Sequence, residues 1–205
     1  MLLETIMLSY PNQRGELSRQ SILASAYELF ISNGYHGTSM RQIAKKAGIA
    51  LGGLYNHYRS KEQVFQAVFK EFHPYYEVFP ILESIEAETI EQFIVLASHR
   101  MLEAIKSRPK FMNLMFIEIV EFNNVHMVEL LSEFLPGMFS IVERLKNIEG
   151  KRIRNFPTPI LLRTFLGMIF GYYLSELVFS ENAAIEFNQK TLDYFSDIYL
   201  HGLLE

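Results

Sequence analysis

The sequence predicts an all-α protein in which an amino-terminal three-helix, helix-turn-helix domain precedes a larger helical domain. Apolar residues recur at three- and four-residue intervals through most of the chain, which indicates helices. Residues 39–61 contain two short helical patterns joined by a glycine, whereas the patterns beyond residue 71 are longer. With 205 residues, 49% of them hydrophobic, the chain is long enough to bury a core.

The amino-terminal end contains an arm and a first helix. Residues 1–16 are predicted to form a flexible arm, because a proline, an asparagine and a glycine interrupt regular structure between positions 11 and 15. A helix then begins near Ser18, a residue type that caps helices, and it ends at Gly34.

Two short helices follow around a tight turn. Ser39 and Gln42 have the spacing of a capping box, which predicts a helix beginning at Met40. Gly48 follows where a helix end needs a left-handed residue, and a second helix is predicted over residues 51–58. The DNA major groove is about as wide as one helix, so this arrangement suits a major-groove reader. A helical hairpin within an all-α core is the alternative.

A second capping pair, Ser60 and Gln63, opens a helix that runs to about Phe72. Pro74 and Pro80 then break the helical pattern. We therefore divide the chain into the arm, a helix-turn-helix domain at residues 17–72 and a helical domain at residues 73–205.

The larger domain shows helical periods throughout. Thr89 and Gln92 have the capping spacing before a long amphipathic stripe, and a further helix is predicted from Pro109 to Phe122. Residues 125–148 are periodic but contain Pro136, which predicts a kink or two helices. The last two predicted helices begin at Pro159 and Ala184.

Charge is distributed unevenly along the chain. The net charge of −4 alone would argue against a nucleic-acid partner. Residues 14–70, however, hold eight Lys/Arg against three Glu, a net charge of +5. The remainder from residue 71 onward holds eleven Lys/Arg against nineteen Asp/Glu. The basic excess therefore lies where phosphate neutralisation would need it, although an unevenly charged solvated surface is the alternative.

Several function classes lack their sequence signals. The chain has no cysteine, which excludes disulfides and thiolate metal sites and agrees with a cytoplasmic location. Its first residues lack the positive charge of a signal peptide, and its longest apolar run is too short for a membrane span. There is no HExxH pair, phosphate-cradling glycine loop or nucleophile elbow. We expect no enzymatic activity, no cofactor and no membrane partner.

Residues 22–69 contain an ordered series of short motifs, namely Asn33-Gly34-Tyr35, Thr38-Ser39, Ile43-Ala44, Ala47-Gly48-Ile49, Leu54-Tyr55, Tyr58 and Ser60-Lys61-Glu62. With these motifs, the stretch resembles the amino-terminal domain of the TetR (tetracycline-repressor-like) family of transcription regulators. The match covers about a quarter of the chain without gaps. One departure is that Ala50 and Leu51 stand where the family has a hydroxyl residue and then a basic one.

The resemblance and the predicted facing together suggest eight residues that contact DNA. Asn56 has the amide that pairs with adenine, and adjacent glycines let the backbone approach the groove closely. These glycines also cost helix propensity, so mere tolerance, or a helix that orders only on DNA, is the alternative. Lys61 lies beside free backbone amides at a helix start and should bind phosphate. The candidates are Arg41, Leu51, Gly52, Gly53, Tyr55, Asn56, His57 and Lys61.

TetR-like proteins bind a small effector in the larger domain and form homodimers, so the resemblance implies both functions for residues 73–205. Two carboxylates on one helix face would suit a cationic amphipathic effector, whereas an amphipathic helix with solvated or paired Glu residues is the alternative. Candidate effector residues, all polar within apolar surroundings, are His99, Glu118, Glu121, His126, Tyr172 and Tyr173.

Gly167 and Gly171 lie four residues apart in a predicted helix, so their side of that helix admits a second helix closely. We expect this face to form a four-helix dimer interface, with close packing inside one monomer as the alternative. A dimer would span two half-sites of a palindromic operator in double-stranded DNA. By resemblance, the protein is a repressor whose effector tilts the helix over residues 60–72 and releases the operator.

Two other classes remain as alternatives. An all-α metal protein or enzyme could use His73 with Glu77 or His99 with Glu103, because each pair is spaced four residues apart on a helix. A helical protein-binding module would show no salt-dependent affinity for DNA at all.

Overall fold

The computed structural model describes residues 11–148, 152–179 and 189–204 and is helical over most of that length. Ile153 and Leu204, which are distant in the sequence, form an isolated antiparallel bridge. The helices are α1 (Pro11–Asn33), α2 (Met40–Lys46), α3 (Leu51–His57), α4 (Lys61–Phe72), α5 (Tyr75–Ser84), α6 (Ile90–Lys106), α7 (Phe111–Phe122), α8 (Val125–Lys146), α9 (Thr158–Phe179) and α10 (Gln189–Leu203). The predicted all-α fold class is confirmed.

The predicted helix signals act as expected in most places. Gly34 and Gly48 have φ of +72° and +70°, so both turns use the left-handed conformation that glycine adopts without strain. The Ser60 Oγ accepts from the Gln63 amide at 3.1 Å, whereas the Gln63 side chain caps the Arg59 amide instead of completing a capping box. Pro136 lies inside the continuous helix α8, so residues 125–146 form one helix and not two.

The amino-terminal arm is shorter than the sequence predicts. Helix α1 begins at Pro11, and residues 11–16 therefore belong to it, while residues 1–10 lie outside the described residues. Proline is compatible with the first turn of a helix, where its missing N–H has no helical acceptor. Glu16 adds an ion pair with Arg19 at 2.9 Å on the same helix. Similarly, the last helix begins at Gln189, and the predicted start at Ala184 lies outside the described residues.

The chain divides into two compact units. The first contains the residues up to His73 together with Lys110–Leu130. Its core is built from buried residues of α1 to α4, and α7 joins that core through Phe122, whose ring stacks on Phe65 at 4.6 Å. The domain boundary near residue 73 stays a prediction. Residues 110–130, which the sequence-based division placed in the larger domain, are grouped with the first unit. Sequence periodicity gives no information on which unit an amphipathic helix joins.

The second unit contains Pro74–Pro109 and Leu131–Glu205. Helices α5, α6, α9 and α10 and most of α8 contribute buried apolar residues to it. By length and apolar composition alone, α8 and α9 could each cross a membrane, which the short uninterrupted apolar run in the sequence does not predict. Core helices of helical proteins share that composition, and both helices line an apolar cavity within this unit.

Candidate nucleic-acid interface and effector cavity

The helix-turn-helix forms around the predicted capping box. The Ser39 Oγ accepts from the Gln42 amide at 3.3 Å, and the Gln42 side chain accepts from the Ser39 amide at 2.7 Å. The Ser21 hydroxyl of α1 donates to the Ala47 carbonyl at 3.1 Å, which ties the end of α2 to the first helix. Ile43 and Leu54 are fully buried and hold α2 and α3 against the core.

The first turn of α3 has an exposed and uncapped backbone. Ala50 occupies the N-cap position in an extended conformation and offers no side-chain hydrogen bond. A Cβ atom built on Gly52 or on Gly53 meets no atom within 4 Å, so packing within the chain does not require either glycine. Leu51 is half-buried beside them. This turn therefore presents backbone instead of side chains to the outside.

Four of the predicted DNA contacts are exposed polar or aromatic side chains. Arg41 lies on α2, and Tyr55, Asn56 and His57 lie on α3. Within the described part of the chain, none of the four forms a hydrogen bond or an ion pair with another side chain. Exposed donors of this kind are what phosphate and base contacts require. Their roles as DNA contacts stay predictions.

Lys61 is engaged inside the domain. Its Nζ donates to the carbonyls of Tyr35 and Thr38 at 2.7 and 2.8 Å and lies 4.1 Å from the centroid of the Tyr35 ring. Burial lowers the pKa of the Lys61 ammonium from its usual value. The ammonium therefore fastens the loop between α1 and α2 to the start of α4, and its predicted phosphate contact would have to use the remaining N–H.

Arg59 is an exposed cation that the sequence-based list omits. It immediately precedes the N-cap residue Ser60, and within the described residues its guanidinium has no acceptor. A basic residue next to a helix start is the signal that would have suggested it. Lys46, in contrast, pairs with Glu28 at 2.8 Å.

Three of the predicted effector residues lie in the first unit as paired groups. Glu118 is fully buried, and its carboxylate accepts from the His126 amide at 2.8 Å and contacts the His126 Nδ1 at 2.8 Å. The amide of Met127 donates to the same carboxylate at 3.2 Å, so Glu118 caps the start of α8. Glu121 contacts the His36 Nε2 at 2.6 Å. Each carboxylate thus has a protein partner.

The other three predicted effector residues lie in the second unit. His99 pairs with Asp193 at 2.7 Å. Tyr172 and Tyr173 are buried on α9, and burial together with the nearby charge of Glu176 raises the pKa of both phenols.

An apolar cavity lies within the second unit. It holds about 790 Å³ of space free of atoms, part of it open to solvent. Helices α5, α6, α8, α9 and α10 all contribute to its wall, and none of the six predicted effector residues lines it. Phe79, Phe93, Met138, Leu145, Phe165 and Leu203 represent the predominantly aromatic and aliphatic lining.

Two of the described lining residues, both tyrosines, carry a polar group. Burial raises the pKa of Tyr75 to about 12, so this phenol is neutral at physiological pH. The Tyr199 hydroxyl donates to the Leu161 carbonyl at 3.2 Å. Among the residues that the structure describes, no charged side chain lines the wall, so it favours an uncharged apolar group over the cationic ligand that the paired glutamates suggested.

Gly167 and Gly171 lie on an exposed face of α9. A Cβ atom on either glycine would meet nothing within 4 Å. Both glycines are exposed, so neither is a site of close helix packing within the described part of the chain. Large apolar side chains are exposed on α9 and α10 as well, among them Ile160, Leu177, Val178, Tyr194 and Ile198.

The structure gives no support to a metal site. Within the described residues, no three His, Asp or Glu side chains lie close enough to hold a metal ion together. Glu77 pairs with Arg108, and His99 pairs with Asp193. One member of each predicted His–Glu pair thus contacts a residue outside the pair.

Comparison with known proteins agrees with this geometry. The profile of bacterial regulatory proteins of the tetR family matches residues 22–68, which span the second half of α1, all of α2 and α3 and most of α4. The HTH-type transcriptional regulator YvkB of Bacillus subtilis is 21% identical over 188 residues, which cover 91% of this chain and 97% of the relative. The fatty acid metabolism regulator protein of Bacillus subtilis is 26% identical over 159 residues, covering 73% and 76%.

A solved structure shares the whole fold. The transcriptional regulator FadR of Bacillus subtilis, in complex with stearoyl-CoA, aligns with a TM-score of 0.63 at 18% identity and covers 89% of this chain and 95% of its own. These similarities identify residues 22–68 as a helix-turn-helix domain of the tetR family of bacterial regulatory proteins. That domain lies in a chain that is similar over most of its length to an HTH-type transcriptional regulator.

Proposed function

We propose that this protein is a cytoplasmic, homodimeric repressor that binds a palindromic operator and releases it when an apolar effector enters the cavity of the second unit. The observation that carries the effector part is the uncharged lining of that cavity. The DNA-binding part is carried by the exposed residues of α2 and α3 on a domain with a net positive charge. We propose no enzymatic activity and no cofactor.

The uncapped turn of α3 enters the major groove in this proposal. Without side chains, Gly52 and Gly53 let the backbone approach the base edges, and Leu51 contacts a thymine methyl group. Asn56 pairs with an adenine, while Arg41, Tyr55 and His57 contact phosphates or base edges. Lys61 and the amides at the start of α4 add a phosphate contact.

The exposed face of α9 and α10 supports the dimer. Ile198 and Val178 are 72% and 66% exposed, so both helices offer apolar side chains to a partner. The open sides of Gly167 and Gly171 give a partner helix a groove without side chains. In a dimer, the two copies of α3 would align with two half-sites that lie about one turn of the DNA duplex apart.

The ligand of a structurally similar protein supports an apolar effector for this one. FadR of Bacillus subtilis is described with stearoyl-CoA, which has a long saturated chain. The cavity of this chain offers that kind of chain an apolar wall and leaves a polar or charged head group outside. Release requires the effector to favour the form with low DNA affinity, and typical coupling free energies are about 1–3 kcal/mol.

The test begins with selection of bound duplexes from random DNA. A recovered palindrome, with affinity that falls steeply as salt rises, is the expected result for a dimeric sequence-specific regulator. Affinity for that operator is then measured with saturated acyl chains and, as a control, with a cationic amphiphile of equal length. Weak binding without sequence preference would contradict the operator, and unchanged affinity with every acyl ligand would contradict the effector class.

A further inference from the structure

The position of one cavity wall depends on a glycine. Phe79 of α5 lines the cavity, and the tip of its ring rests on the backbone of Gly137 in α8. A Cβ atom built on Gly137 would overlap the Phe79 Cζ atom and would lie 2.9 Å from each Cε atom. No side chain larger than hydrogen fits there unless the ring moves.

The sequence around Gly137 is costly for a helix. Pro136 removes one backbone donor inside α8, and glycine costs about 1 kcal/mol relative to alanine in a helix interior. Gly52 and Gly53 lie in open space, whereas Gly137 is covered by a ring from another helix. The contact with Phe79 gives a physical reason for glycine at this position.

Phe79 lies where the cavity ends along α8. Met138, Ile141 and Leu145 line the cavity at helical spacing. The preceding position of that stripe is Phe134, which does not line it. The Phe134 ring instead lies 5.5 Å from the ring of Phe79 and 5.8 Å from that of Tyr75. The Phe79 ring thus separates the cavity from the next position of the same apolar stripe.

We infer that the Phe79 ring, whose tip occupies the space left by the missing Cβ atom of Gly137, forms the end wall of the cavity. The position of this ring sets the longest unbranched alkyl chain that the effector can carry. This inference rests on the effector-binding function proposed above and adds a residue pair that determines specificity. Each methylene that becomes buried raises affinity about fourfold, so a wall that moves by two carbons changes affinity about fifteenfold.

The experiment measures affinity for saturated fatty acids of graded length, from octanoate to stearate, by calorimetry on the full chain. Phe79→Ala should shift the preferred chain to longer acids, with about a fifteenfold gain for a chain two carbons beyond the wild-type optimum. Gly137→Ala pushes the ring into the cavity and should shift the preference to shorter acids. In the double variant no ring remains to be displaced, so its preference should match that of Phe79→Ala.

The control is Phe165→Ala, which removes another lining aromatic ring, one that packs against Tyr199 at 5.8 Å. The affinity of Phe165→Ala should change by the same factor for fatty acids of every length. Phe79→Leu is the milder variant if Phe79→Ala does not fold, as judged by circular dichroism. Wild-type binding with an unchanged length profile in both single variants would overturn this inference alone. Absence of fatty-acid binding by the wild type would overturn the effector class and this inference together.

Discussion

The ammonium of Lys61 and the backbone of Tyr35 form the closest polar link between α4 and the loop that precedes the helix-turn-helix. The Nζ atom donates to the Tyr35 carbonyl at 2.7 Å and also lies over the Tyr35 ring. Tyr35 in turn packs edge-on against Phe65 of α4 and against Phe122 of α7. One lysine therefore orients the loop that leads into α2.

This link predicts a stability role for Lys61 that its sequence position alone does not. Lys61→Met should lower the free energy of unfolding by about 1–3 kcal/mol, because two carbonyls lose a charged donor. It should also weaken binding to all DNA sequences and flatten the salt dependence. Urea unfolding and DNA titrations at several salt concentrations measure the two effects.

Lys45→Met is the matched control for Lys61. Lys45 is exposed on α2, and within the described residues its ammonium has no acceptor. Its loss should leave unfolding unchanged and reduce DNA affinity only modestly. Equal stability of the Lys61 and Lys45 variants would contradict the structural role, whereas an unchanged salt slope for Lys61→Met would remove the phosphate contact.

A substitution at a glycine of α3 should change the stability of the domain and its affinity for the operator in opposite directions. Gly53→Ala should raise the stability of the domain by up to about 1 kcal/mol, because the added methyl meets open space and alanine favours helix. It should nevertheless weaken operator binding, since the methyl would stand between the backbone and the groove. Thermal unfolding and operator affinity are measured on the same preparation. A stabilised variant with full affinity would mean that the glycines are only tolerated.

Local signals in the sequence predicted the helices and turns of the helix-turn-helix domain well. Ser39, Gln42 and Gly48 act within a few residues of each other, and their capping and turn geometry needs no information from the rest of the chain. The same holds for the uncapped start at Ala50. Such contacts are set by backbone geometry, which short sequence patterns encode.

The residues that line the cavity could not be predicted in this way. Glu118 and His126 are polar residues in apolar surroundings, but they form a buried pair that caps a helix. The cavity is lined by aromatic and aliphatic residues that look like ordinary core positions in the sequence. Whether an apolar residue fills a core or faces a cavity depends on packing between distant helices, which periodicity does not specify.

Asn56 is expected to read one base. It is exposed on α3, and its amide suits the bidentate contact with adenine. Asn56→Ala should therefore relax the preference at one operator position by about 1–3 kcal/mol while the remaining positions keep theirs. Repeating the duplex selection with the variant measures this change. An identical recovered operator would show that Asn56 contacts solvent instead of a base.

The raised pKa of the buried Tyr75 phenol predicts a loss of stability at alkaline pH. Its pKa is about 12 in the folded protein and near 10 when unfolded, so folding holds the phenol proton more tightly. The stabilisation is complete below pH 10 and is lost as pH rises towards 12, a change of about 2–3 kcal/mol. Tyr75→Phe removes this titration, and its unfolding free energy should decline less over that interval.

Urea unfolding at several alkaline pH values measures the difference between Tyr75→Phe and the wild type. Tyr35, Tyr58 and Tyr199 also have pKa values raised by burial, but they are common to both proteins and cancel in the comparison. Tyr194→Phe, which removes an exposed hydroxyl, is the matched control and should follow the wild type. Parallel curves for the wild type and Tyr75→Phe would show that the buried phenol does not control alkaline stability.

Gly171 distinguishes a dimer interface from a tolerated surface glycine. Gly171→Leu adds a side chain where the chain itself has open space, so one protomer should fold as the wild type does. Between two copies the same side chain would fill the groove that admits the partner helix. We expect loss of the dimer in sedimentation experiments and a fall in operator affinity, because one reading helix contacts only one half-site.

Ile198→Glu tests the same face from α10 by a different physical effect. Its side chain is 72% exposed, so a carboxylate is solvated in the monomer but would be desolvated in an apolar interface. Both variants should keep the helical circular dichroism of the wild type and should bind single half-sites with unchanged affinity. If both remained dimeric, the exposed apolar face of α9 and α10 would not be the interface, and the spacing of the reading helices would have to be set elsewhere.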